Sequence, residues 1–205
     1  MPDILSLPVS DFLAATAGKA PTPGGGSVAA LCGALAAALG AMAMEYTVGK
    51  KAYAAHDPQT RAALAAFTVA GENLRELVAE DIAAYEGLAP LLKLPEPQRQ
   101  SHPDFLPAIV AAIRVPQTIA GFGHGILERC AAILPHTNKF LLSDLGVAAA
   151  YAHATVHAAE LMVRANLPLL PNQDEAAATR QAMADLSAKA DRQYAAFRTE
   201  LLQHV

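Results

Sequence analysis

The chain has no tryptophan, only 5% aromatic residues, two cysteines and 17% charged residues in a length of 205. The shortage of aromatic strand formers excludes a β-sandwich core, which is built from β-branched and aromatic residues on alternating faces. Cys32 and Cys130 stand far apart, with no C-x-x-C and no paired histidine spacing. That pattern fits reduced, buried thiols and not a disulfide framework or a zinc-cysteine site. A net charge of -4 without any long Lys/Arg run leaves no footprint for a phosphate backbone, so no nucleic-acid partner is expected. The start, MPDILSLPVSDF, carries Asp3 and Asp11 and lacks a basic region before an apolar core, so it does not read as a signal peptide. A cytoplasmic location is the default expectation.

What the chain does have is apolar residues, 53% of the total, with alanine abundant among them. This suits one domain over residues 1–205, all-α, in which closely spaced helices are filled by small side chains. The charge-free run from Ala20 to Met44 approaches the roughly 20 residues of a membrane span. Pro21, Pro23 and the glycines shorten it, and Ser27 to Met44 is dominated by Ala and Gly. A buried central helix, and no membrane, is the expectation.

Punctuation by proline, glycine and capping residues predicts about six helices. A short one lies near Ser10 to Ala17, and a long one runs from about Gly26 to Gly49. Asp57-Pro58 opens a third, running to about Leu88 before Pro90 and Pro95. A fourth spans Pro103 to Pro135, with Pro116 expected to kink it because proline removes an interior N–H. The fifth begins at Ser143-Asp144 and ends around Asn166, before Pro168 and Pro171. The sixth opens on the capping pattern Asn172-Gln-Asp-Glu175 and reaches nearly to the C-terminus.

The hardest break is APTPGGGSV at Ala20–Val28. Pro23 favours an extended or turn geometry, and Gly24, Gly25 and Gly26 permit backbone angles that other residues resist. Ser27 then starts a helix whose unpaired N–H groups point back at the loop, a site for an anion or acyl oxygen. No G-K-[ST] follows and no strand precedes, so it is neither a Walker loop nor a dinucleotide fingerprint. A glycine-rich turn that lets two helices touch explains the same residues equally well.

The stretch APTPGGGSVAALCGALAAALGAM resembles the signature of the formiminotetrahydrofolate cyclodeaminase / methenyltetrahydrofolate cyclohydrolase family. Tyr46-Thr-Val-Gly-Lys-Lys-Ala-Tyr53 is similar to the family's segment after the first long helix. Glu80-Asp81-Ile-Ala-Ala-Tyr85 with Lys93-Leu-Pro95, and Asn138 through Ser143-Asp-Leu-Gly-Val-Ala148, extend the resemblance, with Asn166 near the matching helix end. The matches run in consistent order from about Asp11 to Asn166. The resemblance implies an all-helical fold that dimerises and one-carbon chemistry on a tetrahydrofolate substrate, at the carbon bridging N5 and N10. Cyclodeamination closes the formimino form to the methenyl form and releases ammonia; cyclohydrolysis adds water to the methenyl form. Both pass through a tetrahedral carbon and need a proton moved within hydrogen-bond reach, with no metal and no bound cofactor.

On that resemblance Asp81 is the candidate acid and Asp144 the candidate base or cation stabiliser. Pro23, Gly24, Gly25, Gly26, Ser27, Lys50, Tyr85, Asn138 and Ser143 are candidate substrate-binding residues. Each has a structural alternative: Asp144 beside a helix start, Asp81 with Tyr85 as a cross-bundle hydrogen-bonding pair, Lys50 as a solvated cation at a helix end. Asp144 and Asn166 stand 22 positions apart on one predicted helix, about 33 Å along its axis, so they do not share one site. Asn166 then reads as a helix-end cap or dimer contact. His153 and His157 have the one-turn spacing that chelates a metal, with Glu160 on the same side. With no third His or Cys nearby in sequence, they read as a buried or interface pair, and no metal ligand is assigned. Two departures from the family pattern, Glu45-Tyr46-Thr47 and Phe140, point to a changed substrate or lost activity. A catalytically silent helical ligand-binding or assembly protein is therefore the alternative function.

Overall fold

The computed structural model describes residues 4–205, so Asp3 lies outside the described residues. These hold seven α-helices and no strand: α1 (Val9–Ala17), α2 (Gly25–Glu45), α3 (Asp57–Leu92), α4 (Glu96–Ser101), α5 (Phe105–Ile133), α6 (Leu142–Asn166) and α7 (Gln173–Leu201). Short 3-10 turns join several of them.

Helix α2 is the axis of the bundle, with α3, α5 and α6 packed around it. Its small side chains allow this. Ala29, Ala30, Ala36, Ala37 and Ala43 are all buried, so the neighbouring helices approach its backbone closely. Gly40 marks one close approach, because a Cβ there would stand 2.7 to 2.8 Å from the Phe67 ring of α3. Larger side chains fill the outer layer: Phe67 and Leu74 from α3, Ile109, Ile119, Ile126 and Leu127 from α5, and Leu145, Val156 and Val163 from α6 are fully buried. Each such side chain contributes about 1.5–3 kcal/mol relative to exposure. Both α2 and the segment Phe105–His136 are long and apolar enough to cross a membrane, yet more than half of the α2 window is buried inside the bundle.

The breaks fall close to the predicted positions, with three differences. Helix α2 ends at Glu45 and not Gly49, which adopts a left-handed φ of 73° beyond it. Helix α3 continues through Pro90 to Leu92. A short helix that the prolines hid, α4, fills the connection after Pro95. At α7 the Asn172 side chain accepts from the N–H groups of Asp174 and Glu175, the cap that its sequence pattern predicts. Both thiols are free; Cys130 is buried and Cys32 is partly buried.

Candidate active site

Four elements meet at one end of the bundle around a cleft of ≈ 230 Å³. The start of α2 and the loop before it supply Pro21, Thr22, Gly24, Gly25 and Gly26; α3 supplies Asp81, Ala84, Tyr85 and Leu88; α5 supplies Ala112; α6 supplies Met162, Ala165 and Asn166. The opening glycines have a steric reason to be there. A Cβ on Gly26 would fall into the Asp81 carboxyl group, 2.5 Å from its Cγ, so only glycine lets α3 present that carboxylate against the first turn of α2. Ser27, buried on the same turn, donates its hydroxyl to Asp81 Oδ2 at 2.7 Å and fixes the carboxylate's orientation. Helix α2 has no side-chain cap, which leaves first-turn N–H groups available on the cleft side. Pro23 is buried behind the loop, and the Thr22–Pro23 peptide is cis.

Asn166 lines this cleft too, and its side chain makes no helix-cap hydrogen bond. Pro116 lies inside α5 and has no N–H, so the carbonyl four residues earlier, that of Ala112, has no helical donor. The Asn166 side chain takes over that role, with Nδ2 donating to Ala112 O at 2.8 Å. Helix α5 runs unbroken through Pro116 from Phe105 to Ile133, while the proline's orphaned acceptor anchors an amide in the cleft wall.

The remaining predicted residues gather at the other end of the molecule. Asn138 donates its backbone N–H to Thr47 Oγ1 and its Nδ2 to Tyr46 O, joining the turn before α6 to the end of α2. The Lys139 N–H is donated to the Tyr53 hydroxyl. Lys50 sits exposed at the start of the 3-10 turn Lys51–His56, and Ser143 and Asp144 lie in the first turn of α6. Within one chain, then, the structure brings Gly24, Gly25, Gly26, Ser27, Asp81 and Tyr85 together. It separates them from Lys50, Asn138, Ser143 and Asp144 by the length of α2, 21 residues or about 31 Å. Asp144 therefore does not join Asp81 in a single-chain pocket. The sequence reading missed Ala112, Met162 and Asn166 as cleft residues; Pro116 was a signal for Ala112 and its partner Asn166, since an interior proline leaves a carbonyl in need of a donor, and nothing local marked Met162.

The comparisons with known proteins agree with this architecture. A methenyltetrahydrofolate cyclohydrolase from Methylorubrum extorquens is 29% identical over 162 residues, covering 77% of this chain and 78% of that protein. Formimidoyltransferase-cyclodeaminases from Gallus gallus and Sus scrofa are 29% and 28% identical, covering 80% and 94% of this chain. The chain spans only about a third of the length of these two animal proteins, 31% and 36%. The crystal structure of formiminotetrahydrofolate cyclodeaminase from Thermotoga maritima superposes with a TM-score of 0.82 at 24% identity, covering 98% of this chain and 96% of that one, and so shares the fold. The family model described as Formiminotransferase-cyclodeaminase matches residues 8–185, and the chain belongs to that family.

Proposed function

We infer that the chain is a folate one-carbon enzyme acting at the carbon that bridges N5 and N10 of tetrahydrofolate. The observation that supports this most is the meeting of the glycine loop, the Ser27-held Asp81 carboxylate and the Asn166 amide on one cleft, in a chain of this family. In the hydrolytic direction, water adds to the methenyl carbon and one of its protons is lost. The C–N5 bond then breaks as the remaining hydroxyl proton leaves to give the formyl carbonyl and N5 takes a proton, so 10-formyltetrahydrofolate forms with the net release of one proton. In the deaminating direction, N10 attacks the formimino carbon and the former imine nitrogen leaves, protonated, as ammonia. Asp81 is the proton carrier in either case, and a carboxylate beside the cationic methenyl form also favours its binding. The Methylorubrum relative, similar over most of both lengths, supports the hydrolytic reading; the Thermotoga fold supports the deaminating architecture.

The second cluster enters through self-association. Val28 and Leu35 of α2 and Val147, Tyr151 and Leu161 of α6 are exposed apolar residues on two adjacent helices, joined where the Cys32 thiol meets Tyr151 O. This face runs from the cleft to the Asn138–Asp144 end. A second copy, related by a two-fold axis with its helices reversed, covers it and carries its own Asp144, Asn138 and Lys50 toward the cleft of the first. The homodimer is thus the occupant we assign to this face, with Asp144 acting across the interface.

The test offers methenyl- and formiminotetrahydrofolate separately and follows the methenyl absorbance. Turnover of one or both is expected, with Asp81→Asn lowering kcat by about 100-fold or more while substrate still binds. Wild-type protein that binds folate and turns over neither compound selects the silent ligand-binding alternative.

A further inference from the structure

Away from the cleft, His153 and His157 on α6 converge with Asp191 on α7. His153 Nε2 lies 2.7 Å from Asp191 Oδ1, His157 Nε2 lies 2.8 Å from the same oxygen, and the two nitrogens are 3.1 Å apart. With Asp191 ionised, no assignment of protons on the two rings makes all three contacts attractive. A neutral imidazole nitrogen carries either a hydrogen or a lone pair. If both rings donate to Asp191, two N–H groups confront each other. If one ring accepts from the other, its lone pair faces a carboxylate oxygen.

A cation removes the conflict, since all three atoms then present lone pairs to it. We propose that His153, His157 and Asp191 form a zinc site that staples α7 onto α6. Donors about 2.0–2.1 Å from a divalent ion stand about 2.9–3.4 Å from one another in octahedral or tetrahedral geometry, close to the separations here. Two imidazoles and a carboxylate suit zinc and its transition-metal neighbours, and not magnesium or calcium, which take oxygen donors. The His153 ring is held by stacking on Tyr194, with centroids 4.7 Å apart, so one ligand is already oriented. The three side chains are 24%, 37% and 56% exposed, enough for a hydrated ion to enter and for water to complete its coordination. Glu160, the sequence neighbour that looked available, is engaged by Arg164 and Ser187 and is not a ligand.

The staple has an evident place to act. Helix α7 carries few large buried side chains, with Ser187 and two alanines among its six buried positions. His157 is nine residues from Asn166, about 13 Å along α6, so the site is separate from the cleft and from the reaction proposed there.

The experiment titrates Zn2+ into chelator-stripped full-length protein by calorimetry, and follows thermal unfolding with and without the metal. One zinc per chain is expected, raising Tm by several degrees in a manner reversed by EDTA. Co2+ in its place should give visible d–d absorption. Asp191→Asn and His157→Gln should each weaken binding at least about 100-fold and abolish the Tm shift, since loss of an outer-shell partner alone costs 10–100-fold. Helical content of the metal-free variants, measured by circular dichroism, establishes that they fold; His153→Gln replaces either one that does not. Absence of Zn2+ binding by the wild type, or binding that survives in the folded variants, overturns the proposal.

Discussion

Gly26→Ala isolates the contact on which the cleft depends. The added methyl enters the Asp81 carboxyl group, 2.5 Å from Cγ and 2.8 Å from Oδ2, closer than side chains pack, and Asp81 sits at mid-helix where the backbone does not yield. The carboxylate must rotate away, which also breaks the 2.7 Å bond from Ser27. Overpacking of this kind costs about 1–3 kcal/mol, and loss of a hydrogen bond to a charged group about 1.5–3 kcal/mol where nothing replaces it. Water replaces it at the rim of an open cleft, and alanine's better helix propensity returns up to about 1 kcal/mol. The net destabilisation should be about 1–3 kcal/mol, a fall in Tm of roughly 2–12 °C at this chain length. Turnover should fall far more, by about 100-fold or greater, because the proton carrier has left its place. Ser27→Ala is the paired measurement: it removes the orienting bond without the clash, and should cost less in turnover than Gly26→Ala. Steady-state kinetics on both folates, with thermal unfolding on the same samples, provide the comparison. A folded Gly26→Ala protein with wild-type turnover would refute Asp81 as the acid/base group.

Light scattering at micromolar concentration should report a dimer, and Leu35→Lys or Leu161→Glu on the exposed α2/α6 face should give monomer with reduced turnover; monomeric wild type removes the cross-interface role of Asp144. Pro116→Ala restores a helical donor to the Ala112 carbonyl in competition with Asn166. Stability should hold or rise while KM for folate rises several-fold, and unchanged kinetics would show that the Asn166 anchor does not matter. Burial pushes the Cys130 thiol up to about 12 from 9.0. Between those values the unfolded chain has lost a proton that the folded chain retains, so stability falls as pH rises. Cys130→Ala should flatten that part of the stability profile, read by denaturant unfolding at successive pH values.

The order of helices was legible because proline, glycine and cap residues act locally. Asn172 caps α7 through its own neighbours, and nothing distant is needed to predict it. Helix α4 was hidden by the same logic, since Pro95 read as a stop although it precedes a helix that carries Pro97 in its first turn, where proline is tolerated. The resemblance identified the glycine loop and Asp81, but not why they belong together: the reason is an absent Cβ at Gly26 meeting a residue 55 positions later. The distance argument correctly separates Asp144 from Asn166, yet nothing along one helix says which end faces the loop. Packing decides that, and it puts Asn166 there. For the histidine pair the third group stands 34 residues beyond His157, on a different helix, so no local spacing reveals it.

The join between Asn138 and the end of α2 has a mechanical consequence. Two hydrogen bonds, at 3.0 and 2.9 Å, tie the turn before α6 to Thr47 and Tyr46. Helix α2 meshes with its neighbours through alanine and glycine along most of its length, so it has little slack with which to absorb a push. A tight-fitting helix of this kind is expected to shift as one body, so a variant that cuts the Asn138 ties should register about 31 Å away, at the glycines that face Asp81.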